Sequence, residues 1–281
     1  MSGENMTKNI KSKMTKLLLG LSVVLAGCQG EREASDQTAD EELLEIYALM
    51  GQSNMAGRGE IDEIANSYRS EDVLMMAKEG TLVEAAHPVH FDKPDIVAVG
   101  PGLKFAYELS LKMDNKVVIV PCAVGGTNID LWEPGKYDSI TDTHPYDDAI
   151  DRVRKAMDLG ELKGVIWHQG EANRRDGLYM RKLATLIGRI REVAQDPQLP
   201  FVAGELGYFL KETETFNRNL WELPKLVSHT AVVGAEGLTH KGDDVHFVAR
   251  SAELLGERYA EAMSKLINYK NYSNKKTIKN I

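Results

Sequence analysis

Between residues 43 and 267, short unbroken apolar runs alternate with longer stretches in which apolar side chains return every three or four positions. Runs at 45–50, 73–77, 116–121, 164–167, 201–205 and 229–234 have the length of strands. The stretches 103–113, 146–159, 177–194, 213–226 and 247–266 carry the helical period. In the last of these, Ala249, Ala252, Leu255, Ala260 and Met263 fall on one side of a helix and predict one buried face. Apolar runs separated by helices predict parallel pairing, with helices covering both faces of the sheet. The expected fold is therefore α/β, a central parallel sheet between two helical layers. The first crossover, 54–70, holds two glycines and many polar residues, so a full helix is not expected there. With no internal repeat and no long Pro/Gly-rich linker, residues 43–267 read as one domain.

The two ends break this pattern. Lys8, Lys11, Lys13 and Lys16 precede an uncharged run, 17–27, that closes as Leu25-Ala26-Gly27-Cys28. A basic start, a short apolar run and small residues before a cut point describe a secretory signal. The run is too short for a membrane-spanning helix, which needs roughly 20 residues. The cysteine after Leu-Ala-Gly resembles a bacterial lipobox. That implies lipidation at Cys28 and an exported lipoprotein, periplasmic or on the cell surface, held to the membrane by its lipid. The alternative is an ordinary signal peptide in which Cys28 is incidental. Residues 1–27 are then the signal, 28–42 an acidic tether with little to bury, and 268–281 a polar tail rich in Asn and Lys. The content of 43% hydrophobic and 27% charged residues is that of an ordinary globular protein and excludes a disordered chain. A net charge of −8 argues against a nucleic-acid partner, which would show as a basic face. With Cys28 in the signal, Cys122 has no partner for a disulfide within the chain.

In an open parallel sheet, ligands gather beyond the carboxyl ends of the strands. Four clusters are expected on that rim: Gly51-Gln52-Ser53-Asn54-Met55, then Cys122 to Thr127 with Gly125-Gly126, then His168-Gln169-Gly170-Glu171, and last Gly242-Asp243-Asp244-Val245-His246. Taken alone, a serine between strand and loop is more often a turn former or helix cap than a nucleophile, and Met55 spoils the Gly-x-Ser-x-Gly elbow. A serine nucleophile needs a base within hydrogen-bond reach. His246 can supply it, with Asp243 folding back onto its Nδ1–H so that Nε2 faces the serine. Otherwise Asp243 caps the last helix and His246 fills its first turn. A metal site built from His240, Asp243, Asp244 and His246 is a further alternative, although the spacing fits no His-x-x-x-His pair. Acyl transfer also requires donors aimed at the developing oxyanion. The candidates are the backbone N–H groups of Ser53, Gly125 and Gly126 and the side-chain amide of Gln169.

Together these blocks resemble the SGNH hydrolase superfamily, and more narrowly carbohydrate esterase family 6 and the sialate O-acetylesterase domain. The likeness spans nearly the whole body, and the Gly-Gln-Ser-Asn-Met pentapeptide is its most specific part. It implies a flavodoxin-like three-layer fold and metal-free, cofactor-free hydrolysis of acetyl esters on carbohydrate. It also implies Ser53 and His246 as the catalytic pair, Asp243 as the usual orienting acid, and Gln169 where relatives carry an asparagine donor. Gln52, Asn54 and Trp132 are then the expected substrate contacts, Trp132 either as a sugar platform or as cover for a core edge. Glu171 is a second candidate for the acid, or a group that positions substrate, or a partner of Arg58 or Arg174. Two rival functions stay open: a catalytically inactive carbohydrate-binding lipoprotein on the same scaffold, and a lipase or thioesterase. The latter would want an apolar acyl groove, whereas these rim loops are rich in Asp, Asn, Thr and Gly.

Overall fold

The computed structural model describes residues 44–278, with side chains to residue 271. Cys28 and the signal and tether sequences, 1–42, lie outside the described residues. Seven strands form one sheet: β1 (Leu44–Gly51), β2 (Val73–Met76), β3 (Leu82–Glu84), β4 (Val117–Pro121), β5 (Gly160–His168), β6 (Phe201–Gly204) and β7 (Thr230–Val233), in the order β3-β2-β4-β1-β5-β6-β7. All pairings are parallel except that of β3 with β2. The strands β4-β1-β5-β6-β7 follow the flavodoxin-like order, and β2 and β3 extend it past β4. The expected central parallel sheet is thus present, with β3 as an antiparallel strand at its edge. Leu82–Glu84 is three residues long and mostly exposed, too short for its alternation to show, and it returns along β2 through the turn closed by Ala77 N–H on Thr81 O.

Successive side chains of β1 point to opposite faces, and both faces are buried. Ile46, Ala48 and Met50 pack beneath α3 (Pro145–Met157) and α4 (Tyr179–Ala194) with Val153, Leu183 and Ile187. Tyr47 and Leu49 face α2 (Gly102–Met113) and the last helix with Phe105, Leu255 and Tyr259. Burying side chains of this size stabilises the fold by about 1.5–3 kcal/mol each. The helical stretch 213–226 divides into α5 (Glu214–Leu220) and α6 (Leu223–Leu226), because Pro224 cannot donate into the preceding turn. The last helix, α7, runs Ala249–Ile278. The helix thus continues past its expected end at 266, since no Pro or Gly follows Gly256 before residue 278. In the first crossover a single turn, α1 (Ser53–Ala56), is followed by loops and a 3-10 turn, Ala65–Tyr68.

Candidate active site

Three strand ends lie side by side at one rim. Gly51 pairs with His168, and Leu49 with Pro121, so the residues that follow β1, β4 and β5 emerge together. The glycine at the end of β1 is required. Its φ is +135°, and a Cβ there would sit 2.1 Å from His168 O. The chain then bonds Gln52 N–H to His168 O and turns into α1, whose first residue is Ser53. As the first residue of a helix, Ser53 has a backbone N–H with no intrahelical acceptor.

The loop before α7 meets this turn from the opposite side. Gly242 and Asp244 take positive φ, and an antiparallel bridge between His240 and Phe247 closes the loop. Asp243 folds back within it: Oδ1 accepts the N–H groups of Val245 and His246, and Oδ2 lies 2.7 Å from His246 Nδ1. His246 Nε2 lies 3.0 Å from Ser53 Oγ. Partial burial pushes the Asp243 carboxyl up, but the two backbone donors and the imidazole outweigh it and hold the carboxyl down at about 2. Ser53, His246 and Asp243 therefore form one hydrogen-bonded row although 190 residues separate the first from the third. Glu171 is not the acid at this ring. Its Oε1 accepts from Asn54 Nδ2 at 2.6 Å and approaches His168 Nε2 at 3.6 Å. Burial holds the His168 imidazole below its usual range, so that approach is not a pair of charges.

A pocket of about 390 Å³ opens over Ser53 and His246, with Gln52, Arg58, Lys93, Gly126 and Arg174 among its lining. Several expected roles do not survive the geometry. Gly125 N–H donates to Asp92 Oδ2 at 2.8 Å, so it is not free for an oxyanion. Gln169 is fully buried beneath the rim, its Nε2 2.7 Å from Asn173 Oδ1 and 3.2 Å from Gln52 Oε1. It orients the Gln52 amide instead of reaching the pocket. Asn54 does not line the pocket, and both ends of its amide are engaged within the protein. Trp132 is buried edge-on against Trp167 with its indole N–H on Thr127 Oγ1; a group of that size gains more from the core than from the rim. Gly126, exposed with φ +90°, and Ser53 are left as backbone donors without partners among the described residues. Asp92 lies in a loop with no motif around it, so nothing in the sequence singles it out. It forms a buried ion pair with Arg58, which is therefore not a partner of Glu171. Arg174 donates to the Glu171 backbone carbonyl, and neither it nor Lys93 has a carboxylate partner among the described residues. His240 binds within its own loop through the N–H groups of Gly242 and Asp244, and no three ligand-type residues form a metal cluster among the described residues. A larger hollow, about 920 Å³ between α2, α7 and β7, lies away from all of these groups.

A serine, a histidine and an aspartate in one row above the carboxyl edge of a doubly covered sheet define the class: an α/β protein with a hydrolase-type site. Residues 43–265 match the profile of a family described as carbohydrate esterase, sialic acid-specific acetylesterase, and the chain belongs to that family. A probable carbohydrate esterase of Arabidopsis thaliana is 31% identical over 245 residues, 78% of this chain and 89% of the relative. The crystal structure of the Arabidopsis protein superposes with a TM-score of 0.71 at 28% identity, covering 79% of this chain and 98% of that one. The fold alone is also shared with NanS (TM-score 0.62, 17% identity, 81% and 98% covered). A carbohydrate acetylesterase of Xanthomonas citri shares it too (0.60, 19%, 80% and 56%).

Proposed function

We propose that this member of the family is a serine esterase that removes O-acetyl groups from carbohydrate through an acetyl-Ser53 intermediate. The observation that carries the reading is His246, 3.0 Å from Ser53 Oγ on one side and 2.7 Å from Asp243 on the other. His246 Nε2 takes the Ser53 proton as Oγ attacks the acetyl carbon, then gives it to the sugar oxygen as its bond to that carbon breaks, so that the sugar leaves as an alcohol. Water, deprotonated by the same nitrogen, attacks the acetyl carbon; as the bond to Oγ breaks, the proton passes to Ser53 and acetate leaves. The N–H groups of Ser53 and Gly126 stabilise the oxyanion, with the Gln52 amide beside them. Ser53→Ala should lower kcat by at least ~10³-fold with an unchanged melting temperature. A folded Ser53→Ala protein that still releases acetate at the normal rate would refute the mechanism, whereas a folded wild-type protein that releases none would leave the carbohydrate-binding alternative.

Lys93 and Arg174, cations without carboxylate partners at the pocket, favour an acetylated sugar that itself carries a carboxylate. Acetate release from acetylated sialic or uronic acids, compared with neutral acetylated xylan, tests this. Arg174→Gln should raise KM for the anionic substrates alone. For location, the Leu25-Ala26-Gly27-Cys28 sequence supports a lipid anchor at Cys28. Labelled lipid should enter the wild-type protein and not Cys28→Ser; a soluble, unlabelled wild-type protein contradicts the anchor.

A further inference from the structure

Asn54 stands next to Ser53, and its side chain reaches the residues on both sides of His246. Its Oδ1 accepts the Phe247 N–H at 3.1 Å, and its Nδ2 donates to Val245 O at 3.1 Å and to Glu171 Oε1 at 2.6 Å. Both Asn54 and Glu171 are buried. The partners fix the amide's direction. Turned over, its nitrogen would face a backbone N–H, and its oxygen would face a carbonyl and a carboxylate. We propose that Asn54, held by Glu171, is the positioning residue that fixes the base to the nucleophile.

The other polar bonds of this loop run within itself or to α7. Lys241 N–H donates to His246 O, Asp243 binds the backbone of its own turn, and Thr239 N–H donates to Ser251. Among the described residues, the side-chain hydrogen bonds from the loop to α1 are those of Asn54 and that of His246 with Ser53 itself. The Oγ–Nε2 distance is thus set through one covalent step from Ser53 to Asn54, and one residue on either side of His246. An amide is the short side chain that can accept from one backbone group while donating to another and to a carboxylate. Glu171 contributes as an acceptor for that amide, a role that asks for its oxygen and not for an acid at the ring. Its second oxygen is buried without a partner among the described residues, so Asn54 is the contact that accounts for its place.

The inference rests on the reading of Ser53 and His246 as nucleophile and base, and the test separates the two. Asn54→Ala should lower kcat about 10²-fold with KM within about threefold, because misplacing a catalytic group by about an ångström costs that much. It should slow phosphonylation of Ser53 by a small fluorophosphonate in the same proportion, a readout independent of sugar binding. Asn54→Asp sets two carboxylates against each other and should be at least as impaired. Adding Glu171→Gln should recover about tenfold or more, because the new amide donates to the new carboxylate. Asn54→Ser serves where Asn54→Ala does not fold, with the same expectation. The proposal is overturned if a folded Asn54 variant keeps the wild-type kcat, or if the Asn54→Asp, Glu171→Gln double variant is no better than Asn54→Asp. Full activity in Ser53→Ala would instead remove the mechanism beneath it.

Discussion

Asp243 shows how much one side chain can hold. Its carboxylate accepts the backbone N–H groups of Val245 and His246 as well as the imidazole, so it shapes the loop and orients the ring together. Held at about 2, it stays ionised across any working pH, and its contribution to stability is lost only as pH falls from the usual aspartate range toward about 2. Asp243→Asn should lower kcat by about 10²- to 10⁴-fold, because an amide offers the ring the wrong partner. Equal kcat in wild type and variant on one acetylated sugar would reject that role. Gly125 makes a different case. A Cβ there would meet Arg58 Nη2 at 2.3 Å and Asp92 Oδ2 at 2.7 Å, inside a buried ion pair. Gly125→Ala should therefore displace the loop that presents Gly126 and cut kcat about tenfold or more, with little change in KM. The glycine pair was visible in the sequence. That one glycine donates to Asp92 was not, since 33 residues separate them and no pattern links them.

At the scale of elements, the end of β1 decides whether the site forms. Gly51 has φ +135° and lies against the backbone of β5, so Gly51→Ala combines strain with a clash that neither strand can relieve. A loss of roughly 3 kcal/mol or more is expected, read from denaturant melts; a loss below about 1 kcal/mol would show that the strand ends can part. Five of the six expected strands match to within about two residues, because strands buried on both faces are near-continuous apolar runs. The sixth, β5, begins at Gly160, where Gly160, Glu161 and Lys163 interrupt the apolar run. The boundaries that moved did so for local reasons. Pro224 divides a helix, and α7 starts only at Ala249 because Phe247 is held by Asn54 and by the bridge to His240.

Across the whole molecule, His90 and His168 are buried and His87 is half-buried, with little of the water an imidazolium needs. Burial lowers His87 and His90 to about 4, and lowers His168 as well. The unfolded chain takes up these protons from about pH 6.5 downward while the folded protein does not, so stability should fall between about pH 6.5 and 4. Thermal melts across that range should show the decline. His87→Leu should make it shallower, since neither ring nitrogen of His87 has a partner among the described residues. An unchanged slope in His87→Leu would remove His87 from the account. By itself the sequence determined the α/β layering and the four clusters on one rim, because apolar period and strand ends are local properties of the chain. It also limited the acid to Asp243 or Glu171. Only the tertiary structure set Asp243 and not Glu171 beside the His246 ring, withdrew Gln169, Asn54 and Trp132 from the pocket, and brought Arg58 to Asp92. Which way a side chain points at a crowded rim depends on the hydrogen-bond partners that distant segments bring to it, and no spacing along the chain encodes them.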